Sequence, residues 1–137
     1  METATDVRRH WRARLDRAAT RLPVSFSRGQ DAFTVVSTPL LQDLLRHTVP
    51  SPVVIAEDGG WSIFLDGYPI AADSTDLDEA IEDFVVAVTD YANAWIDRLH
   101  AAPNHHHAAA LAHLVAASTP DQLRDWAGRS SQPTTSA

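Results

Sequence analysis

An α+β fold is what this sequence predicts, and three observations predict it. Segments with helical apolar spacing open and close the chain, short β-branched runs separated by glycine turns lie between them, and Pro50-Ser51-Pro52 divides the whole. The 137 residues are 45% hydrophobic and 21% charged, enough for a real core and unlike a disordered chain. Cysteine is absent, which excludes disulfide frameworks, thiolate zinc sites and cysteine nucleophiles together.

Thr3 or Thr5 can cap a first helix reaching about Arg21, and Thr3 with Asp6 makes a capping-box-like start. Its apolar stripe is Val7, Trp11, Leu15, Ala18 and Leu22, and Pro23 is expected to end it. Val24-Ser25-Phe26-Ser27 and Ala32-Phe33-Thr34-Val35-Val36 then read as a β-hairpin around Gly29. Thr38-Pro39 opens a short helix through His47. Beyond the two prolines, Val53-Val54-Ile55, Trp61-Ser62-Ile63-Phe64-Leu65 and Ile70-Ala71-Ala72 predict three strands joined by Asp- and Gly-rich turns. Asp76 with Glu79 starts a long helix with the stripe Leu77, Ile81, Phe84, Val85, Val88, Ala92, Trp95, Ile96 and Leu99. A further helix, capped by Asn104, runs to about Ala117. Thr119-Pro120-Asp121-Gln122 is a capping box for the last helix, which Gly128 is expected to end. The domain reading is therefore 1–48, 52–128 and a disordered Ser/Thr/Pro tail, 129–137.

The net charge of -7, from 18 acids and 11 bases, argues against nucleic acid at face value. Its distribution argues otherwise. Residues 1–30 carry seven arginines against Glu2, Asp6 and Asp16, a local charge of +4, and the remaining four arginines face 15 acids, or -11. Every base is arginine, whose fork suits phosphate.

The helix–hairpin–helix order resembles the Phd/YefM antitoxins. The residues that carry it are Thr3-Ala4-Thr5-Asp6-Val7-Arg8-Arg9, Leu15-Asp16, Pro23-Val24-Ser25-Phe26-Ser27-Arg28-Gly29 and Ala32-Phe33-Thr34-Val35-Val36-Ser37. The resemblance covers about residues 3–48 and implies a symmetric homodimer that represses its own promoter from palindromic operator DNA. By position it assigns DNA contact to Arg8, Arg9, Arg12 and Arg28, with Arg14, Arg17 and Arg21 on the opposite helix flank weaker candidates. It implies a cognate toxin as partner, which need not be met by a disordered tail here, because the later segments read as helical.

Residues 52–100 resemble the HicB-like fold more distantly, through Val53-Val54-Ile55-Ala56-Glu57-Asp58-Gly59-Gly60-Trp61 and Asp78-Glu79-Ala80-Ile81. Asp66-Gly67-Tyr68-Pro69 departs from that family's Pro-Asp-x-x-Gly-Cys stretch. The fold class is thus α+β: a Phd/YefM-like helix–hairpin–helix module, then a small HicB-like antiparallel sheet with a long helix and two short C-terminal helices.

The acids from Asp66 to Asp97 face no nearby base, and an acidic surface suits the cationic groove of a ribonuclease-type toxin. The toxin-contact candidates are Asp78, Glu82, Asp83 and Asp90 with Leu123 and Trp126 of the last helix. Asp58, Asp66 and Asp73 read as turn residues rather than a metal site, and no catalytic residue is assigned. The histidines His100, His105, His106, His107 and His113 contain no i, i+4 pair suited to a metal, so neither metal nor cofactor is expected. The opening residues are polar and no apolar run spans a bilayer, so the expectation is a cytoplasmic, non-enzymatic protein with no membrane contact. The alternative reading is a toxin-free transcriptional regulator or protein-interaction adaptor.

Overall fold

Capping chemistry sets the first elements. In the computed structural model, which describes residues 1–129, Thr3 Oγ1 accepts the Asp6 N–H at 3.2 Å and donates to Asp6 Oδ2 at 3.0 Å. That starts α1 (Ala4–Arg9) where the sequence places it. The single helix expected to reach Arg21 is instead two, α1 and α2 (Trp11–Ala19). Between them His10 takes φ -116° and ψ 31°, and its N–H is shared by the Asp6 and Val7 carbonyls, each at 3.2 Å. This break splits the expected stripe: Val7 and Ala18 are buried, while Trp11, Leu15 and Leu22 stay exposed. The chain leaves α2 through Arg21, whose φ of 67° is left-handed and whose N–H meets the Ala18 carbonyl at 3.0 Å. The helix has therefore stopped before Pro23 acts.

The hairpin is β2 (Val24–Arg28) and β3 (Asp31–Val35), with Arg28 opposite Asp31 and Gly29 supplying φ 61° in the two-residue turn. An unforeseen strand, β1 (Glu2–Thr3), pairs parallel to β2, giving the order β1-β2-β3. Two residues carry too little periodicity for a strand to be read from sequence. α3 (Thr38–Arg46) begins on Ser37, whose carbonyl accepts the Leu41 N–H at 3.0 Å. The apolar cluster here is Val7, Ala18 and Val24, with Phe26 and Val35 against it.

The chain divides into two compact units, Met1–Asp43 and Leu44–Ala137. The division falls inside α3 rather than at Pro50-Ser51-Pro52, because Leu45 and Val49 pack with the apolar cluster of the second unit. That unit opens with β4 (Val53–Glu57), β5 (Gly60–Phe64) and β6 (Ala71–Ser74), an antiparallel sheet in sequence order. Val54, Ile63 and Ala72 stand in one cross-strand row on its inner face. Gly60 sits at a close approach, where a Cβ would lie 3.0 Å from the Ser74 carbonyl oxygen.

α4 (Leu77–Asp97) covers the inner face with Phe84, Val85, Val88, Ala92 and Trp95 buried as the stripe predicts; Ala80 joins them, while Ile96 of the expected stripe is 45% exposed and Leu99 lies past the helix end. Two short 3-10 helices, Leu99–Ala101 and Pro103–Ala108, lead into α5 (Ala109–Ala116). Asn104 is not the expected cap: it lies inside the second 3-10 helix, whose flanking residue is Ala102. α6 (Pro120–Arg129) opens on a true capping box, with the Gln122 N–H to Thr119 Oγ1 at 3.2 Å and the Thr119 N–H to Gln122 Oε1 at 2.9 Å. Gly128 does not end it; the helix carries on to Arg129, with the bare Gly128 backbone near Ile81. Of the expected tail, Arg129 is helical and residues 130–137 lie outside the described residues.

Candidate functional site

Of the seven arginines of the first unit, five (Arg8, Arg9, Arg12, Arg17 and Arg28) are exposed without an ion pair among the described residues and two are engaged. Arg8 and Arg9 stand in the last turn of α1, Arg12 in the first turn of α2, and Arg28 at the end of β2. All four are exposed and make no ion pair among the described residues. The Arg28 guanidinium lies 5.6 Å from the Phe33 ring centroid, and Phe33 stacks on Phe26 with centroids 5.5 Å apart. Two of the other arginines are engaged. Arg14 forks onto Glu2, with Nε to Oε2 at 2.8 Å and the other arm on Oε1, tying β1 to α2. That hydrogen bond holds the Glu2 carboxyl below the usual carboxylate range and raises Arg14. Arg21 pairs with Asp43 at 2.8 Å. Arg17 lines a cleft of about 350 Å³ with Glu2, Arg14 and Val24.

Next to Arg8 is an apolar cleft of about 360 Å³ lined by Ala4, Val7, Trp11 and Phe26. Trp11 is 47% and Leu15 41% exposed, so one helix face presents large apolar side chains to solvent.

The acidic candidates of the second unit also separate. Asp78, Asp83 and Asp90 are exposed along α4. Glu82 is held by Arg124 of α6, Nε to Oε2 at 2.8 Å and Nη2 to Oε1 at 3.0 Å, and Arg124 also reaches Asp121 at 2.6 Å. Those hydrogen bonds lower the Glu82 pKa and raise that of Arg124. Leu123 is 4% exposed and belongs to the core, so it is not presented to a partner. Trp126 is half-buried against Phe84, with ring centroids 6.1 Å apart. Beside the carboxylates, Val86 and Ile96 are exposed on α4, apolar positions absent from the sequence-based candidates.

The histidines do structural work on α4. Tyr91 Oη and His105 Nδ1 are 2.8 Å apart, and Trp95 Nε1–H donates to the His105 carbonyl at 2.9 Å. Burial raises the Tyr91 hydroxyl pKa. His100 Nδ1 lies 3.2 Å from the Trp95 carbonyl, His113 meets the Trp95 ring edge-on at 5.3 Å, and His107 lies against Tyr68 at 5.4 Å. Among the described residues no group of three or more His, Cys, Asp or Glu is placed to hold a metal ion. No helix among them is long and apolar enough to cross a membrane.

This arrangement can be set beside known proteins. No curated protein sequence matches the chain. Its fold is similar to a crystal structure from Syntrophomonas wolfei subsp. wolfei, described as an antitoxin part of a toxin/antitoxin system. The TM-score is 0.72 at 20% identity, with 91% of this chain and 94% of that one covered, a likeness of fold. The PHD-like family model, described as antitoxin of toxin-antitoxin, RelE/RelB, TA system, matches residues 1–108 and so runs through both units. With most of its length inside that match, the chain belongs to this family of antitoxins of toxin–antitoxin systems.

Proposed function

We propose that this antitoxin neutralises a basic, ribonuclease-type toxin and represses its own operon as a homodimer on operator DNA, in the manner of the Phd/YefM proteins. The carrying observation is the engagement of the arginines: Arg8, Arg9, Arg12 and Arg28, together with Arg17 on the opposite flank, are exposed and without ion pairs among the described residues, whereas Arg14 and Arg21 are engaged by Glu2 and Asp43. Guanidiniums without internal partners are available to phosphate, and Arg28 is further steadied by Phe33. The apolar cleft at Val7, Trp11 and Phe26, continued by exposed Leu15, supports pairing with a second copy of this unit.

Toxin contact is assigned to the exposed carboxylates Asp78, Asp83 and Asp90 on α4, with Val86 and Ile96 as apolar anchors among them. Glu82 serves the Arg124 clamp first, and Trp126, half-buried against Phe84, contributes only in part. A cationic toxin groove would be steered to such a surface. The HicB-like likeness of residues 52–100 enters this reading as a likeness of layout, without a HicA-type partner.

DNA taken from just upstream of the reading frame tests the first half. The Arg8/Arg9/Arg12→Ala variant is expected to bind weakly, with a salt slope shallower by about 0.9 for each phosphate it no longer neutralises. Unchanged affinity and slope would remove the assignment. Co-expression with the adjoining gene product tests the second half, and failure to co-purify would favour a toxin-free regulator.

A further inference from the structure

The sheet β4-β5-β6 packs one face on α4, and its other face is apolar and only partly covered, with Val53 and Phe64 half-buried and Ile55 exposed. Val53, Phe64 and Ala71 form one cross-strand row on that outer face, and Ile55, Ser62 and Asp73 form the next row of the same face. An antiparallel sheet with a solvated side alternates apolar inward and polar outward. β4 breaks the alternation, with Val53 and Ile55 both turned outward, and Phe64 joins them from β5. None of these three belongs to either apolar cluster, and Ile55 is 39% exposed.

The charge on this face selects its occupant. Glu57 and Asp73 stand on it, and the chain has no lysine or arginine between Arg46 and Arg98. A second copy of the same face would set these carboxylates against each other, and like-charge juxtaposition opposes that pairing. Three strands about 4.8 Å apart make a strip about 10 Å wide, the width of one helix. A helix laid there would give the sheet a layer on each side.

We propose that the outer face of β4-β5-β6 is a docking surface for a cationic amphipathic helix of the toxin. This rests on the toxin partnership proposed for the chain but places a second interface, on the layer opposite α4. The toxin's apolar stripe lies on Val53, Ile55 and Phe64, and its basic flanks meet Glu57 and Asp73.

The test uses the full chain in two arms. In the first, the ¹⁵N-labelled protein is titrated with an 18-residue Arg/Leu amphipathic helical peptide. Amide shifts are expected at Val53–Glu57, Ser62–Phe64 and Ala71–Asp73, and Ile55→Lys is expected to weaken binding about tenfold or more. Ile55 is an exposed edge-strand position where lysine is tolerated, and Glu57→Gln with Asp73→Asn gives a second variant that leaves the apolar row untouched. Shifts confined to α4, or concentration-dependent shifts at this face without peptide, overturn the proposal. In the second arm the adjoining gene product is captured by wild type, Ile55→Lys and Asp83→Asn/Asp90→Asn. Undiminished capture by Ile55→Lys sinks the sheet-face interface while leaving the toxin partnership intact. Failure of the wild type to capture it sinks the toxin partnership and the toxin helix with it.

Discussion

The unit Met1–Asp43 buries Val7, Ala18 and Val24 in its apolar cluster and leaves Trp11, Leu15, Leu22 and Phe33 exposed, whereas the second unit buries eighteen residues around Phe84, Ile63 and Leu111. Ordering a backbone costs about 1–2 kcal/mol per residue, and three buried residues offset little of that over 43. Cores of that size depend on further partners. The second unit has closed its own core, and its surface carries most of the carboxylates beside a few exposed apolar side chains, Leu44, Ile55, Val86 and Ile96. Charge follows the same division: the first unit has seven arginines against five acids, the second four against thirteen. The contrast is between a small core with exposed arginines and large apolar side chains, and a large core under a surface rich in carboxylates.

The largest expected effect tests whether the second core is self-sufficient. Phe84 is fully buried and packs against Trp126, so Phe84→Ala should destabilise that unit by about 3–5 kcal/mol. Residue-resolved hydrogen exchange should show the loss in α4, α5 and β5, with the hairpin β2-β3 little changed. Equal loss of protection in both units would make them one cooperative body and break the comparison. Val7→Ala in the first unit removes less buried surface and should cost about 2 kcal/mol, read in β2 and α1.

Each unit also carries one arginine–glutamate clamp, and acid separates their consequences. Hydrogen bonds from Arg14 and Arg124 hold the Glu2 and Glu82 carboxyls below their ordinary 4.5. A carboxyl with a depressed folded-state pKa contributes fully above its unfolded value and loses that contribution as pH falls through the folded one. Both clamps therefore hold at neutral pH and weaken only below about 4.5. In the first unit the loss releases β1, which has two residues and one strand neighbour, so amide protection at Ser27, which faces β1, should drop. In the second unit α4 and α6 stay joined through Leu123, Ala127 and Trp126, so the same acidification should leave α6 protected. Glu2→Gln should abolish the acid-dependent step at β1; its persistence would show that another group controls it.

These clamps also mark where the sequence stops being legible. Short-range chemistry is readable: Thr3 with Asp6, Thr119 with Gln122, Gly29 in its hairpin and the stripe of α4, Ile96 excepted, form as their spacing implies. Pairings made across the chain are not. Arg124 reaches Glu82 from 42 positions away, and nothing local distinguishes that glutamate from Asp83 beside it. Glu2 reads as part of a polar start, yet its strand pairs with β2 and its carboxylate takes up Arg14, leaving Arg8, Arg9 and Arg12 without one. Leu123 reads as a partner residue because it stands on an amphipathic short helix, and the core takes it instead. The break at His10 is hidden for the same reason: the stripe is continuous in sequence, and only the tertiary burial of Val7 and Ala18 without Trp11 and Leu15 divides it.

The smallest expected effect concerns the way α2 ends, and it sharpens the contrast because the described residues of the second unit have no counterpart. Arg21 is the one non-glycine residue described with positive φ, at 67°. That conformation costs an L-residue with a side chain about 1 kcal/mol or more, whereas glycine enters it freely. Against this, Arg21→Gly loses the ion pair with Asp43, and an exposed pair of that kind contributes about 0–1 kcal/mol. The two terms nearly offset, with glycine also raising the entropy of the unfolded chain. Arg21→Gly should thus change stability by less than about 1 kcal/mol, while Arg21→Ala, which keeps the strain and drops the pair, should be the less stable of the two. Urea unfolding of wild type and both variants at about 0.05 and 1 M salt decides it, because only the wild type carries the screened pair. If Arg21→Gly is clearly worse than Arg21→Ala at both salts, the backbone at position 21 is not what the left-handed φ implies, and the first unit's loosest joint lies elsewhere.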